Sequence, residues 1–442
     1  MKLDVRRTVL IGFAFFSICA FWQMYNNVVP LMLTNTFHMN ETLSGVIMAA
    51  DNVLALFLLP IFGTISDRCH HPWGKRMPFI VFGTIAAVLL MVVLPVIDNS
   101  YASGAAIWKI AAFVVVLLVL LVAMGTYRSP AVALMPDLTP KPLRSRGNAI
   151  INLMGAVGGI LYLGIAAVLY SSASTAGLDH VNYLPLFAIV AAIMVVSVAV
   201  VFLTIREPKI EHEVAAYEVA HPEENLTERD ESGKEVLPAP VRHSLALLLV
   251  SIALWFIGYN AMETWFTTYA AAEWGMALGD ASRCLIVANL GAIVSYIPVG
   301  SIASRVGRKR TILVGICMLG GGFAFCAAWT FAGGGFSPVL YAIMVLLGMG
   351  WAAINVNSLP MVVEMCKGSD IGKFTGYYYT FSMAAQTVTP IAAGWLMANV
   401  SYRSLFIYAT IFVLASFVTM QFVHHGDTTN IEKRGLESFD AD

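Results

Sequence analysis

Three ionisable side chains stand in stretches otherwise too apolar to hold them: Asp51, Arg128 and Glu263. At the centre of a membrane-spanning helix each costs on the order of 2.5–3.5 kcal/mol by insertion scales, so such groups face a cavity and pair. Carboxylates beside a guanidinium can also couple transport to protons. Burial raises a carboxylate's pKa and a nearby guanidinium lowers it. A partner that shifts between conformations can therefore load and unload a proton. Asp51 and Arg128 fall in the same half of the chain and are the expected pair, with Glu263 in the other half. A fixed ion pair that only orders helices is the competing account.

Uncharged polar residues recur around them at helical spacing. Gln23, Asn26, Asn27 and Pro30 share a face of the first apolar stretch. Asn148 and Asn152 follow, then Tyr259 with Trp265, Asn289 with Tyr296, and Asn355; Tyr378, Ser382 and Gln386 repeat at four-residue intervals. Amides, a guanidinium and carboxylates suit the mixed donors and acceptors of sugar hydroxyls, and aromatic faces suit the apolar side of a pyranose ring. Interhelical hydrogen bonding explains any one amide as well. Their convergence favours a polar central cavity. The expected proton-coupling residues are Asp51, Arg128 and Glu263. The expected substrate contacts are Gln23, Asn26, Asn27, Arg128, Asn152, Tyr259, Glu263, Asn289, Asn355, Tyr378 and Gln386.

The elements that must position these groups are membrane helices. Of 442 residues 58% are hydrophobic and only 12% charged, with a mean hydropathy of +0.76; soluble domains run near a quarter charged. A crossing needs about 20 mostly apolar residues. Such runs lie near 8–33, 43–65, 77–97, 107–135, 147–170, 184–205, 244–271, 281–303, 310–331, 337–363, 374–398 and 404–424. The first follows Arg6 and Arg7 as a signal peptide would. It is too long for one, carries three amides and lacks a cleavage site, so it is expected to stay in the membrane. The expected fold is an all-α polytopic membrane protein of 12 transmembrane helices in two pseudo-symmetric six-helix bundles. Residues 1–205 and 244–426 form the bundles, 206–243 an acidic cytoplasmic linker, and 427–442 a cytoplasmic tail. With ten Asp/Glu against five Lys/Arg, the linker reads as flexible and solvated.

Orientation follows from the basic residues. Of the 26 Lys and Arg, only Lys109, Arg283 and Arg403 fall on the alternate side, and Arg128 lies within a span. Both termini and the linker are therefore expected in the cytoplasm, and the short loops suggest a bacterial cytoplasmic membrane.

The halves also share loop motifs. Gly63, Asp67 and Arg68, followed by Gly74, Lys75 and Arg76, recur as Gly300, Ser304 and Arg305, then Gly307, Arg308, Lys309 and Arg310. Asp137 with Arg146 recurs as Glu364 with Lys373 where the fourth span of each half ends. Parallel six-helix repeats are the plan of major-facilitator transporters, with the site between the halves. The loop glycines allow close helix approach, and the arginines can pair with Asp137 and Glu364 to close a cytoplasmic gate. The expected gate residues are Gly63, Asp67, Arg68, Gly74, Lys75, Arg76, Asp137, Arg146, Gly300, Arg305, Gly307, Arg308, Glu364 and Lys373.

The string running through Asp51, Asn52, Pro60, Gly63, Ser66, Asp67, Arg68, Cys69, Trp73, Gly74, Lys75, Arg76, Pro78 and Phe79 resembles the glycoside–pentoside–hexuronide:cation symporters of the major facilitator superfamily. It looks most like their sucrose:proton symporter branch. Trp22 to Asn27, Met135 to Leu138 and Phe374 to Tyr379 extend the likeness to both halves. The resemblance implies proton-coupled symport, by alternating access, of a disaccharide or small glycoside (sucrose- or maltose-like). Departures are also visible. The paired span-2 aspartates of the melibiose-permease branch correspond to Ala55 and Leu59, so a melibiose-type sodium site looks absent and the proton is the implied coupling ion. The arginine of plant-type sucrose carriers corresponds to Val132. Arg128 lies four residues earlier, on the same helix face but about 6 Å along the axis.

Other classes fit less well. Drug:proton exporters of this fold resemble a family with a Gly-Pro signature in the fifth span, where this chain has Gly155, Gly158 and Gly159 without proline. A non-transporting solute sensor would need a domain to relay its signal. No Walker A, H-E-x-x-H, G-x-S-x-G or dinucleotide fingerprint marks an enzyme. The six cysteines stand singly, without disulfide or zinc spacing. The net charge of −1 offers nothing to nucleic acid. The expected partners are a small sugar and the bilayer, with no other cofactor and no metal, and the chain is expected to act as a monomer.

Overall fold

A computed structural model describes residues 4–140, 144–220, 238–365 and 371–427, and no strand occurs among them. The helices are α1 (Val5–Leu31, continued by a π-turn, Met32–Thr36), α2 (Glu41–Asp67), α3 (Met77–Ser103), α4 (Ile107–Asp137), α5 (Arg144–Leu169), the single turn α6 (Ser172–Thr175) and α7 (Leu184–Thr204). Then come α8 (Glu207–Ala220), α9 (Ala239–Trp274), α10 (Leu278–Val306), α11 (Arg308–Phe331), α12 (Val339–Val363), α13 (Ile371–Asn399) and α14 (Ser404–Gln421). Apart from α6 and α8, these twelve match the expected spans. Among the described residues eleven are long and apolar enough to cross a membrane. The other, α13, is as long but carries Thr380, Ser382, Gln386, Thr387 and Thr389 along its middle.

The spans hold together by one face and present another to lipid. Phe21, Phe113, Phe187, Trp255, Trp265 and Phe323 are fully buried, whereas Phe82, Leu89, Val168 and Leu203 are between 61% and 78% exposed. In water that exposed surface would drive aggregation; in hydrocarbon it is neutral, and helices suit that setting because they pair most of their backbone groups internally.

Two compact units result: Met1–Asn40, Ala50–Leu226 and Ala277–Asp280 form the first, and Glu41–Ala49, Thr227–Met276 and Ala281–Asp442 the second. In the first, α1 packs on α5 and α7, and α3 on α4 and α7. In the second, α9 packs on α13 and α14, and α11 on α12 and α14. Numbered within each half these are the same four pairs, so the repeat read from loop motifs extends to the packing. A close approach fixes the α1–α5 pair: a Cβ at Gly158 would stand 2.0 Å from the Phe16 carbonyl oxygen.

The stretch expected to be a flexible linker differs at its start. Its first third is α8, whose Ile210 and Val214 are buried and whose Glu207 is completely buried in the first unit. Apolar residues at i and i+4 give this acidic helix a face to bury, which the count of charges alone concealed. Residues 221–237 and 428–442 lie outside the described residues.

Candidate functional site

In the first unit two of the intramembrane charges lie within electrostatic reach of each other. The Arg128 guanidinium on α4 lies 5.3 Å from the centre of the Trp22 ring on α1, a cation–π contact, and it is within electrostatic reach of Asp51 on α2. Asp51 also acts on Tyr25 and accepts a hydrogen bond from Asn52 Nδ2 at 2.9 Å. The Trp22 indole N–H and the Tyr25 hydroxyl are buried with no hydrogen-bond partner among the described residues. Buried donors normally find partners, so two unspent polar atoms beside a charged pair mark a place where a polar ligand can bind. Below them Tyr127 is tied to α1, donating to the Ala14 carbonyl at 2.8 Å and bonding Ser17, which holds the arginine's turn in place.

The amides fare unevenly. Asn27 donates to the Gln23 carbonyl at 2.6 Å and to its side-chain oxygen at 3.2 Å, so these two are bound to each other. Asn26 is half-buried, and Asn152 is exposed on α5.

In the second unit an aromatic platform stands beside the carboxylate. Tyr259 on α9 stacks on Trp351 of α12 with ring centres 3.7 Å apart and planes 4° from parallel, and Phe256 meets the same indole edge-on. Glu263, one turn from Tyr259, acts on it electrostatically and accepts no hydrogen bond among the described residues. Tyr296 bonds Asn355, and Tyr378 lies 3.2 Å from Ser358 Oγ. Asn289 spends its amide on the Leu285 carbonyl of its own helix at 2.8 Å. Gln386 is half-buried. Trp265 is not a cavity residue: fully buried, it donates to the Pro390 carbonyl at 3.1 Å and serves packing. Trp351, not among the residues singled out above, is the indole that stands against Tyr259. Its spacing from Asn355, one turn on, was the available signal.

The loop motifs gather basic and acidic groups at one end of each unit. Arg76, whose side chain is 6% exposed, reaches Asp137 Oδ2 at 2.8 Å, the Gly63 carbonyl at 3.2 Å, Ser66 and Asp67. Lys75 reaches Asp137 at 3.3 Å and Glu211 at 2.7 Å. In the second unit Arg308 pairs with Glu364. The arginines that meet the fourth-span acids are thus Arg76 and Arg308. Arg68 and Arg305, expected to act with them, are exposed and form no ion pair among the described residues. The side chains of Arg146, Lys373 and Ser304 lie outside the described residues.

Sequence reasoning missed the caps that complete these clusters. Glu207 accepts from the backbone N–H of Arg76 at 2.8 Å and of Met77 at 2.9 Å, capping α3. Asp427 accepts from the N–H of Arg308 at 2.6 Å, capping α11. Each acid follows the sixth span of its half, and each faces a glycine with positive φ: Gly74 at 112° and Gly307 at 103°. A Cβ at Gly74 would stand 2.3 Å from the Glu207 carboxylate, so both the backbone angle and the space demand glycine.

Burial pushes the Glu207 carboxyl above its ordinary 4.5, against the pull of the Arg76 and Met77 N–H groups. For Lys75 burial pulls the other way, but Glu211 and Asp137 outweigh it and hold the ammonium above its usual range. An acid whose folded-state pKa is raised contributes stability that is present below its ordinary value and lost as pH rises through the raised one. Amide exchange of α8, corrected for intrinsic rate, should therefore show more protection near about pH 5 than near about pH 7.5. Glu207→Gln should flatten that difference; equal protection in the unaltered protein would show that Glu207 does not titrate there.

No group of three or more His, Cys, Asp or Glu suited to a metal occurs among the described residues.

A polytopic helical membrane protein with one helix-pairing scheme used twice, each copy holding intramembrane charge, is the class these features define. The chain belongs to the Major Facilitator Superfamily, whose family model matches residues 11–282 and 270–438. That makes it a membrane transporter rather than an enzyme. It is 35% identical over 126 residues to the sucrose transport protein SUC4 of Arabidopsis thaliana, covering 27% of this chain and 25% of that protein. It is 21% identical over 307 residues to the isoprimeverose transporter of Lactiplantibacillus pentosus, covering 67% and 59%. The chain thus spans less than two thirds of the length of these curated relatives. Among solved structures it resembles a D-xylose-proton symporter, with a TM-score of 0.67 at 15% identity over 96% of this chain and 98% of that one, a likeness of fold.

Proposed function

We propose that the protein is a proton-coupled symporter that carries a sugar of disaccharide or small-glycoside size into a bacterial cell by alternating access. It would lie in the cytoplasmic membrane as a monomer with both termini inside, using the proton rather than sodium as coupling ion. The single observation that carries this reading is the Arg128 guanidinium held over Trp22 within reach of Asp51. A charged pair inside a membrane helix bundle is expensive unless it works. Here it adjoins the unspent Trp22 and Tyr25 donors, as a polyhydroxylated ligand requires. The Tyr259–Trp351 platform beside Glu263 offers the complementary chemistry, an apolar face and an acceptor. The sugars after which the two relatives are named support the same substrate class.

In this reading Asp51, Arg128 and Glu263 handle the proton. Arg128, Tyr259, Glu263, Asn355, Tyr378 and Gln386 contact sugar, with Gln23, Asn26, Asn27, Asn152 and Asn289 as further polar lining. The Arg76 and Arg308 clusters close the cytoplasmic side. The test is uptake of a labelled panel of sugars and dicarboxylates into proteoliposomes under an imposed inward proton gradient. Accumulation of a disaccharide or glycoside that collapses with a protonophore is expected. Accumulation of none, or of dicarboxylates only, would overturn the reading.

A further inference from the structure

A second charged site lies in the first unit, away from the intramembrane pair. A cavity of about 280 Å³ opens between the start of α1 and the α7–α8 junction. Its charged lining is Arg6, Arg7, Arg206 and Lys209 against Asp4 and Glu213, with Thr204 as a further polar group. Arg7 reaches Glu213 at 3.3 Å and Asp4 at 3.7 Å, and Lys209 reaches Glu213 at 4.0 Å. The two acids are thereby spent on Arg7 and Lys209. Arg6 and Arg206 form no side-chain hydrogen bond or ion pair among the described residues, so the cavity keeps two uncompensated guanidiniums.

Its position says which anion fits. Both basic walls adjoin apolar surface: Val5, next to Arg6, is 56% exposed and Leu203, three residues before Arg206, is 77% exposed. Leu10 and Ile210 give the cavity an apolar floor. A soluble anion would need only the guanidiniums, whereas an amphiphile would use both surfaces. Basic pockets at the ends of membrane helices suit anionic lipid head groups, and guanidinium is the side chain whose planar fork matches a phosphate.

We propose that this cavity binds the phosphate of an anionic phospholipid, held by Arg6 and Arg206. The lipid bridges α1 to the start of α8 and so steadies the helix that carries Glu207 to the α3 cap. Membrane composition then acts on the first unit through α8 and the α3 cap it carries.

Thermal unfolding of the purified full chain in detergent tests it, with phosphatidylglycerol, phosphatidylcholine or inorganic phosphate added separately. Phosphatidylglycerol should raise the midpoint by about 3 °C, and the other two should not. The double variant Arg6→Gln, Arg206→Gln should lose the response, while Arg310→Gln, an exposed base elsewhere, should keep it. If the double variant does not fold, Arg206→Lys should respond only at about tenfold higher lipid concentration. Equal response to phosphatidylcholine, reproduction by inorganic phosphate, or an undiminished response in the arginine variants would overturn the proposal.

Discussion

Replacing Asp51 by Asn should abolish accumulation of substrate against its gradient while leaving exchange of substrate across the membrane close to the unaltered rate. The reason lies in what the substitution keeps. Asparagine occupies the same volume and still accepts a hydrogen bond from Asn52, so the local helix geometry survives. It cannot take up a proton or carry charge. Arg128, stacked on Trp22, loses the anion within its electrostatic reach. Coupling requires that the loaded and empty carriers differ in protonation; without the titrating group both cross alike and no gradient drives net movement. The expected loss in proton-driven accumulation is at least about tenfold, equivalent to about 1.4 kcal/mol of driving free energy.

The arginine's own variants separate coupling from binding. Arg128→Gln should raise the half-saturating substrate concentration as well as impair coupling, because the guanidinium is assigned to both. Adding Asp51→Asn should cost little more, since removing one partner of a buried pair strands the other, whereas removing both does not. Undiminished accumulation in Asp51→Asn would take Asp51 out of the mechanism and leave Glu263, which has no hydrogen bond among the described residues, as the proton carrier.

How far these residues could be read from sequence depended on the kind of constraint each obeys. Helix number and the twofold repeat were legible because a bilayer forces long apolar runs and because the loop motifs occur twice; which helices pack on which was not. Asp51 and Arg128 stood out for the same reason, since an apolar background makes a charge conspicuous. The caps did not. Glu207 and Asp427 sit in polar segments, where one buried acid looks like its exposed neighbours. The signal for α8 was present in Pro208 near a helix start and in the Ile210, Val214 and Tyr217 stripe behind it. Rotamer choices were not legible at all. Nothing in the spacing says that Asn289 would turn back on its own helix, or that Trp265 would face the Pro390 carbonyl. Choosing between Arg68 and Arg76 for Asp137 needed the turn at Gly74, whose positive φ carries the chain back so that the second basic cluster faces inward.

That choice yields the other large effect. Arg76→Ala should reduce transport more than tenfold and lower thermal stability, whereas Arg68→Ala should change both little. Arg76 is nearly buried and serves several acceptors at once: Asp137, Asp67, Ser66 and the Gly63 carbonyl. Truncation leaves the inner oxygen of Asp137 with Lys75 alone. Breaking a buried pair by removing one partner costs on the order of 3–5 kcal/mol, and partial exposure of Asp137 places this case toward the lower end. Arg76→Lys should recover only part of the loss, because a single ammonium cannot span acceptors that a planar guanidinium reaches together. Arg308→Ala offers the same test in the second unit, where Glu364 and the Asp427 cap take the places of Asp137 and Glu207. The decisive measurement is a double-mutant cycle on unfolding midpoints. Arg76→Ala with Asp137→Asn should be less damaging than the sum of the single changes, by about 1 kcal/mol or more. Strict additivity would mean that the two side chains act separately, and the cluster would then be a product of topology rather than a latch.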